Sequence, residues 1–290
     1  MSSFLKLLKH KLQIMVWAVS KKTSPLDFYG EAMKSISGRW HGEMATMTTY
    51  HALFDVLRQR EFSGSLFELG GGYSTILAKT LFDDSQVQIT SVDFYPAKYN
   101  RILNSKKTSL SFLKTINSIN EITVSFEEVE KALEIIVHRL LGYAQDDVRL
   151  NLFKFINDSQ FCEEFGTYVD TKDVKAICRK IKVHDGFESE VNFYKNFNAM
   201  TGKGACAEVA KSGVDVDAVF FDCGEASSLA EFLALECSLK KGSYVLLHDI
   251  YFPKSIKNFL LATLLTLDPS WDVLYQDIVS DQGGLVAIKL

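Results

Sequence analysis

One stretch, residues 64–93, limits what this chain can fold into more than any other. A short apolar run at 65–69 leads through Phe67-Glu68-Leu69-Gly70-Gly71-Gly72-Tyr73-Ser74-Thr75 into a helical composition at 75–82. The chain then returns as a β-rich run, 87–92, that stops at Asp93. Strand, glycine turn, helix and second strand make a βαβ unit. A helix over residues 43–60, with Leu53, Val56 and Leu57 at helical spacing, delivers the chain into the first strand.

The far end repeats the texture. Residues 216–221 read as a buried strand ending at Asp222, residues 229–239 as a helix, and residues 243–247 as a strand ending at His248-Asp249. A helix follows around 255–267. Two further runs, 271–275 and 285–290, flank a polar turn with Gly283-Gly284, which predicts an antiparallel hairpin. Strands alternating with helices imply an α/β fold with a mostly parallel sheet. Between the halves, Asp93 and Asp222 lie 129 positions apart, more than three elements of such a fold need. Ser125-Phe126-Glu127-Glu128 is a capping-box sequence opening a helix that stops near Gly142, and a second helical segment follows around 148–156. The expected organisation is an N-terminal helical segment (1–60), an α/β core (61–98 and 181–290) and a helical insertion (99–180) capping the substrate site. The third core strand is expected at 180–184.

Composition narrows the function classes. With 47% hydrophobic and 23% charged residues among 290, the chain is a folded globular protein. A net charge of -4 gives no general grip on phosphate backbones, so no nucleic-acid partner is expected. The five cysteines, Cys162, Cys178, Cys206, Cys223 and Cys237, form no CxxC pair and read as reduced thiols of a cytoplasmic protein. Residues 4–22 mix five lysines with spaced leucines and carry no acid. Three readings stand for this stretch: a signal peptide, an amphipathic helix making peripheral contact with a membrane, and a helix packed on its own domain. No run of about 18 apolar residues occurs, so no spanning helix is predicted. Self-association into a homo-oligomer is left open.

In open α/β sheets, ligands bind at the carboxyl ends of the strands, here Glu68, Asp93, Asp185, Asp222 and Asp249. Acids at five such ends need a ligand, metal or solvent to meet them. A dinucleotide is disfavoured, because Thr75 stands where a third glycine belongs and Glu68 would repel a diphosphate. A positively charged cofactor suits the turn better, with glycines letting it approach the backbone.

Glu-x-Gly-x-Gly followed by Ser-Thr, then Ser-Val-Asp93 and a terminal hairpin ending in Val-Ala-Ile-Lys, resembles the class I S-adenosylmethionine-dependent methyltransferases. Val-Phe-Phe-Asp222-Cys-Gly-Glu225 and Val-Leu-Leu-His248-Asp249 look like the small-molecule and sugar O-methyltransferases, of catechol and macrolide-sugar or rhamnosyl types. The resemblance covers about 66–97 and 216–290. It implies a Rossmann-like, mostly parallel seven-stranded sheet with an antiparallel C-terminal hairpin. It places Glu68 and Gly70 to Gly72 on the methionine part of S-adenosylmethionine and Ser74 on its carboxylate. Asp93 falls on the ribose hydroxyls, and Asp185, or Glu188 in a shifted register, on the adenine amino group. In metal-dependent relatives the acids matching Asp222 and Asp249 bind magnesium, but the asparagine that follows the second acid is Ile250 here. The histidine base of the macrolide-sugar type falls on Glu225, and that type's acid before the last aspartate falls on His248. A metal at Asp222 and Asp249 (Mg2+), His248 as base and Glu225 as base, ligand or helix cap therefore all stay open. His248 is the preferred base because its ordinary pKa lies near neutrality.

The expected activity is O-methylation of a hydroxylated small molecule such as a sugar or glycan-linked sugar. N-methylation of an amino sugar, an NAD-dependent oxidoreductase and a non-catalytic binding protein on the same fold are the rivals.

Overall fold

The computed structural model describes residues 40–82, 86–92, 117–119, 123–143, 174–182, 185–201, 204–213, 216–250, 257–277 and 283–290. In chain order the elements are α1 (Trp40–Gln59), β1 (Gly64–Leu69), α2 (Tyr73–Leu81), β2 (Val87–Val92), β3 (Asn117–Ile119), α3 (Phe126–Tyr143), α4 (Val174–Lys182) and α5 (Asp185–Thr201). There follow α6 (Ala205–Ser212), β4 (Val216–Phe221), α7 (Ser227–Leu235), β5 (Leu239–His248), α8 (Phe259–Leu267), β6 (Trp271–Asp277) and β7 (Gly284–Lys289).

The seven strands form one sheet in the order β3-β2-β1-β4-β5-β7-β6. The first five pair in parallel, and β7 runs antiparallel between β5 and β6. The mostly parallel sheet and its C-terminal hairpin are thus as the sequence predicts.

Strand alternation sorts side chains onto two faces. Phe67, Leu69, Val219, Phe221, Val245 and Leu247 join a core built with α3, α4, α5, α7 and α8. Leu66, Ala218, Phe220 and Leu246 point the other way, into a second core with Tyr50, Leu53, Phe54 and Leu57 of α1 and Leu77 and Ala78 of α2. Helices on both faces explain why these strands read as continuous apolar runs. The alternation also sends Glu68, Asp222 and His248, two positions beyond Leu66, Phe220 and Leu246, to the face that α1 covers.

The third strand is a correction. Residues 180–184 were expected to be β, but Lys182 ends α4 and Asp185 begins α5. The β-branched Ile181 and Val183 invite a strand reading, whereas Ile177, Cys178 and Ile181 form the buried side of a helix packed on α3. The strand beside β2 is Asn117–Ile119, three residues long and too short to carry a periodicity signal.

β3 and α3 both fall inside 99–180, so this stretch is not a cap throughout. α3 buries Val129, Ala132, Leu133, Ile136, Val137 and Leu140 against the sheet's own layer and packs on α7 and α8. Its capping box is as expected: Ser125 N–H donates to Glu128 Oε2 at 2.6 Å, and Glu128 N–H to Ser125 Oγ at 3.3 Å. The expected helix at 148–156 and the stretch 4–22 lie outside the described residues. Among the described residues, no helix is long and apolar enough to cross a membrane.

Candidate active site

At the carboxyl end of β1, Glu68 is buried with 1% of its surface exposed. Its carboxylate accepts from Ser74 Oγ and Thr75 Oγ1 in the first turn of α2, and Gly72 N–H donates to Thr75 Oγ1 at 2.9 Å. Burial pushes Glu68 up to about 7, against the lowering effect of the hydroxyls that donate to it; nearby Asp222 adds to the rise. Ser74 spends its single proton on Glu68, so it presents lone pairs to a ligand.

The glycine turn is needed for close packing at Gly70. Its φ is +89°, and a Cβ there would stand 2.2 Å from the backbone oxygen of Asp222. Gly70 N–H and Gly71 N–H both reach the carbonyl of Val92, and Asp222 N–H donates to Leu69 O at 2.9 Å. The ends of β2, β1 and β4 are thereby drawn together under the turn.

Asp222, His248 and Asp249 come together as the sequence suggested, with one ligand atom from each within 4.8 Å of the others. Two residues that sequence reasoning missed complete the cluster. Tyr50 of α1 donates its hydroxyl to Asp222 Oδ2, and its ring lies 4.6 Å from that of His248. Lys257 Nζ donates to Asp222 Oδ1 at 2.7 Å and to Asp249 Oδ2 at 3.2 Å. His248 Nδ1 lies 3.1 Å from Asp222 Oδ1 and 3.4 Å from Asp249 Oδ2.

The charges are set by this mutual contact. Burial would raise Asp222, but the cations Lys257 and His248 hold it far below the usual carboxylate range; Asp249 is lowered in the same way. For His248, burial works toward the neutral ring, yet Asp222 and Asp249 lift it to about 9. Lys257, opposed by burial, is raised by the same two acids. Near neutrality the cluster holds two anions and two cations.

His248 therefore does not fit the base expected from the sequence. It is 1% exposed, it already carries its proton near neutrality, and its Nε2 is buried without a hydrogen-bond partner among the described residues. Asp249 is the more accessible carboxylate, its side chain 21% exposed against 10% for Asp222. Its backbone is left-handed at φ 57°, held by its N–H to Gly283 O at 3.2 Å. Aspartate tolerates that region better than most residues, and such outliers gather at functional sites.

Glu225 meets the cluster through the backbone of Lys257. Its Oε2 accepts the backbone N–H of Lys257 at 2.5 Å. The helix cap considered for it belongs to Glu190 of α5, which accepts from Ala226 N–H and Ser227 N–H at the start of α7. A Cβ at Gly224 would stand 1.7 Å from Glu190 Oε1, so only glycine leaves room for that reach.

Asn258 secures the floor. Fully buried, it donates through Nδ2 to Phe221 O at 3.0 Å and His248 O at 2.6 Å, tying the ends of β4 and β5. Neither Lys257 nor Asn258 belongs to a strand-end motif, so spacing carried no sign of them.

Asp185 lies at the start of α5 rather than at a strand end. Glu188 is exposed on the same helix. The position that follows β3 is residue 120, which, like Asp93, lies outside the described residues.

The sheet order with its antiparallel closing hairpin is the Rossmann-like class I methyltransferase fold. Among solved structures the chain is similar to cofactor-bound Rv0187 from MTB, at 9% identity and TM-score 0.47, covering 97% of each chain. It is also similar to the O-methyltransferase TomG from Streptomyces achromogenes in complex with SAM (10%, TM-score 0.45, 100% of this chain and 99% of that one). A third is the O-methyltransferase from Bacillus cereus in complex with SAH (9%, TM-score 0.41, 84% and 81%). No family model and no curated protein matches the sequence.

Proposed function

We propose that the protein is an S-adenosylmethionine-dependent methyltransferase that methylates the oxygen of a hydroxylated small molecule, such as a sugar or glycan-linked sugar. The observation that supports this most is the carboxylate-lined glycine turn: Glu68 lies beneath Gly70 to Gly72, and Asp222 is near enough to act on its charge. A diphosphate would be repelled there, whereas a ligand carrying an ammonium and a sulfonium is attracted. Glu68, Gly70, Gly72 and Ser74 would hold the methionine part, and Asp93 the ribose. The sugar acceptor rests on the sequence resemblance alone, as does Asp93.

When bound, the cofactor supplies a methyl group on a carbon activated by sulfonium. The chain's task is to orient an acceptor hydroxyl and receive its proton. Asp249, the most exposed carboxylate of the cluster, is the group suited to accept a hydrogen bond from that hydroxyl and orient it. Lys257 and His248 keep it ionised, and Tyr50 and Asp222 hold the two cations in place. A cytoplasmic location is part of the same reading, supported by the free thiols of Cys178, Cys206, Cys223 and Cys237.

Calorimetric titration with S-adenosylmethionine and S-adenosylhomocysteine, with NAD as comparator, tests the cofactor. Saturable binding of both sulfur compounds, lost in Asp93→Ala, is expected. A folded protein that binds neither, or binds NAD instead, rejects the proposal.

A further inference from the structure

Paired acids at the ends of β4 and β5 invite a divalent cation, and the ligand atoms of Asp222, His248 and Asp249 are close enough to hold one. The space between the two carboxylates, however, is bridged by an ammonium. Lys257 Nζ donates to Asp222 Oδ1 at 2.7 Å and to Asp249 Oδ2 at 3.2 Å, on a side chain only 11% exposed. A magnesium ion needs carboxylate oxygens at about 2.0–2.1 Å in an octahedral shell. It would have to displace the ammonium or share the same oxygens with it, two like charges within a few ångströms in a buried setting.

The lysine is built into this position from both sides. Its own N–H is held by Glu225 Oε2, and the next residue, Asn258, is bonded to the backbone at the ends of both β4 and β5. Displacing Nζ would leave a buried ammonium without its carboxylate partners, a strongly destabilising arrangement.

We propose that Lys257 is the permanent cation of this site, standing between Asp222 and Asp249 where a divalent metal would otherwise bind, so that the protein operates without a metal ion. The ammonium supplies one positive charge and directed N–H donors, and no open coordination position. Acceptors are therefore held by hydrogen bonds rather than by chelation. The inference concerns the cluster itself and holds whether or not the sulfonium cofactor binds.

The test is Mn2+ binding followed by electron paramagnetic resonance on the full chain, with Mg2+ as competitor. Wild type is expected to bind no Mn2+ at this site. Lys257→Ala and Lys257→Gln, shown to be folded by circular dichroism, are each expected to gain one Mn2+ site that wild type lacks. That binding should vanish when Asp249→Asn is added. One Mn2+ bound by wild type, displaced by Mg2+ and lost in Asp249→Asn, overturns the inference. So does a folded Lys257 variant that gains no affinity. If neither variant folds, the wild-type arm decides. Calorimetry with S-adenosylmethionine on the same wild-type preparation is a separate readout, so failure of the cofactor reading is distinguishable from failure of this one.

Discussion

Replacing His248 by glutamine tests whether the imidazole is a fixed cation or a base. The structure lifts His248 to about 9 from an ordinary value of 6.5, because Asp222 and Asp249 face its Nδ1. A folded-state pKa above the unfolded one means that the native protein holds this proton more tightly. The resulting stabilisation is complete below pH 6.5 and is lost as the pH rises through 9. The difference between 6.5 and about 9 corresponds to about 3 kcal/mol, released at about 1.4 kcal/mol for each pH step of one. At 1% exposure the ring is little screened by solvent. The assay is urea denaturation of wild type and His248→Gln at intervals from pH 6 to 9.5. The stability of wild type relative to the variant should fall by about 3 kcal/mol across that range. Subtracting the variant removes the titrations the two proteins share. Parallel curves would refute the reasoning, since they would mean that His248 titrates at its ordinary value when folded and is a free base above it.

Three further outcomes are expected. Asn258→Ala removes two donors to buried carbonyls and should cost about 3 kcal/mol in urea denaturation; a loss below about 1 kcal/mol would show that the clamp is dispensable. Glu231, fully buried on α7 and accepting from the Cys223 thiol, is raised by burial to about 7, so its contribution is lost as the pH rises from 4.5 through 7. Glu231→Gln should therefore gain about 3 kcal/mol on wild type between pH 5 and pH 8, and an unchanged difference would place the carboxyl near its ordinary range. Because Glu68 also sits at about 7, S-adenosylmethionine affinity should weaken as the pH falls from 8 to 6 while Glu68 takes up a proton. A calorimetric pH series in which wild type and Glu68→Gln weaken alike would remove Glu68 from the cofactor's field.

Much of the core was legible because β1, β4 and β5, covered on both faces, carry apolar runs at 65–69, 216–221 and 243–247, and β2 at 87–92 shows β-rich alternation. The capping box at Ser125 was equally readable, since its two hydrogen bonds lie within four residues. β3 was not, because three residues hold too little pattern, while α4 offered β-branched residues whose burial depends on α3. The acids were visible as strand ends, yet their partners were not.

The sequence by itself determined four strands of the parallel sheet, the closing hairpin and the glycine turn, because strand pattern and backbone freedom are local properties. Only the tertiary structure decided what those residues do. Tyr50 reaches Asp222 from 172 positions away, and Lys257 lies eight residues beyond the second acid on a connection without a periodic signal. Charge depends on what stands within a few ångströms, and that is fixed by packing: the same histidine that reads as a base in a string of letters becomes a buried cation once two carboxylates close around it.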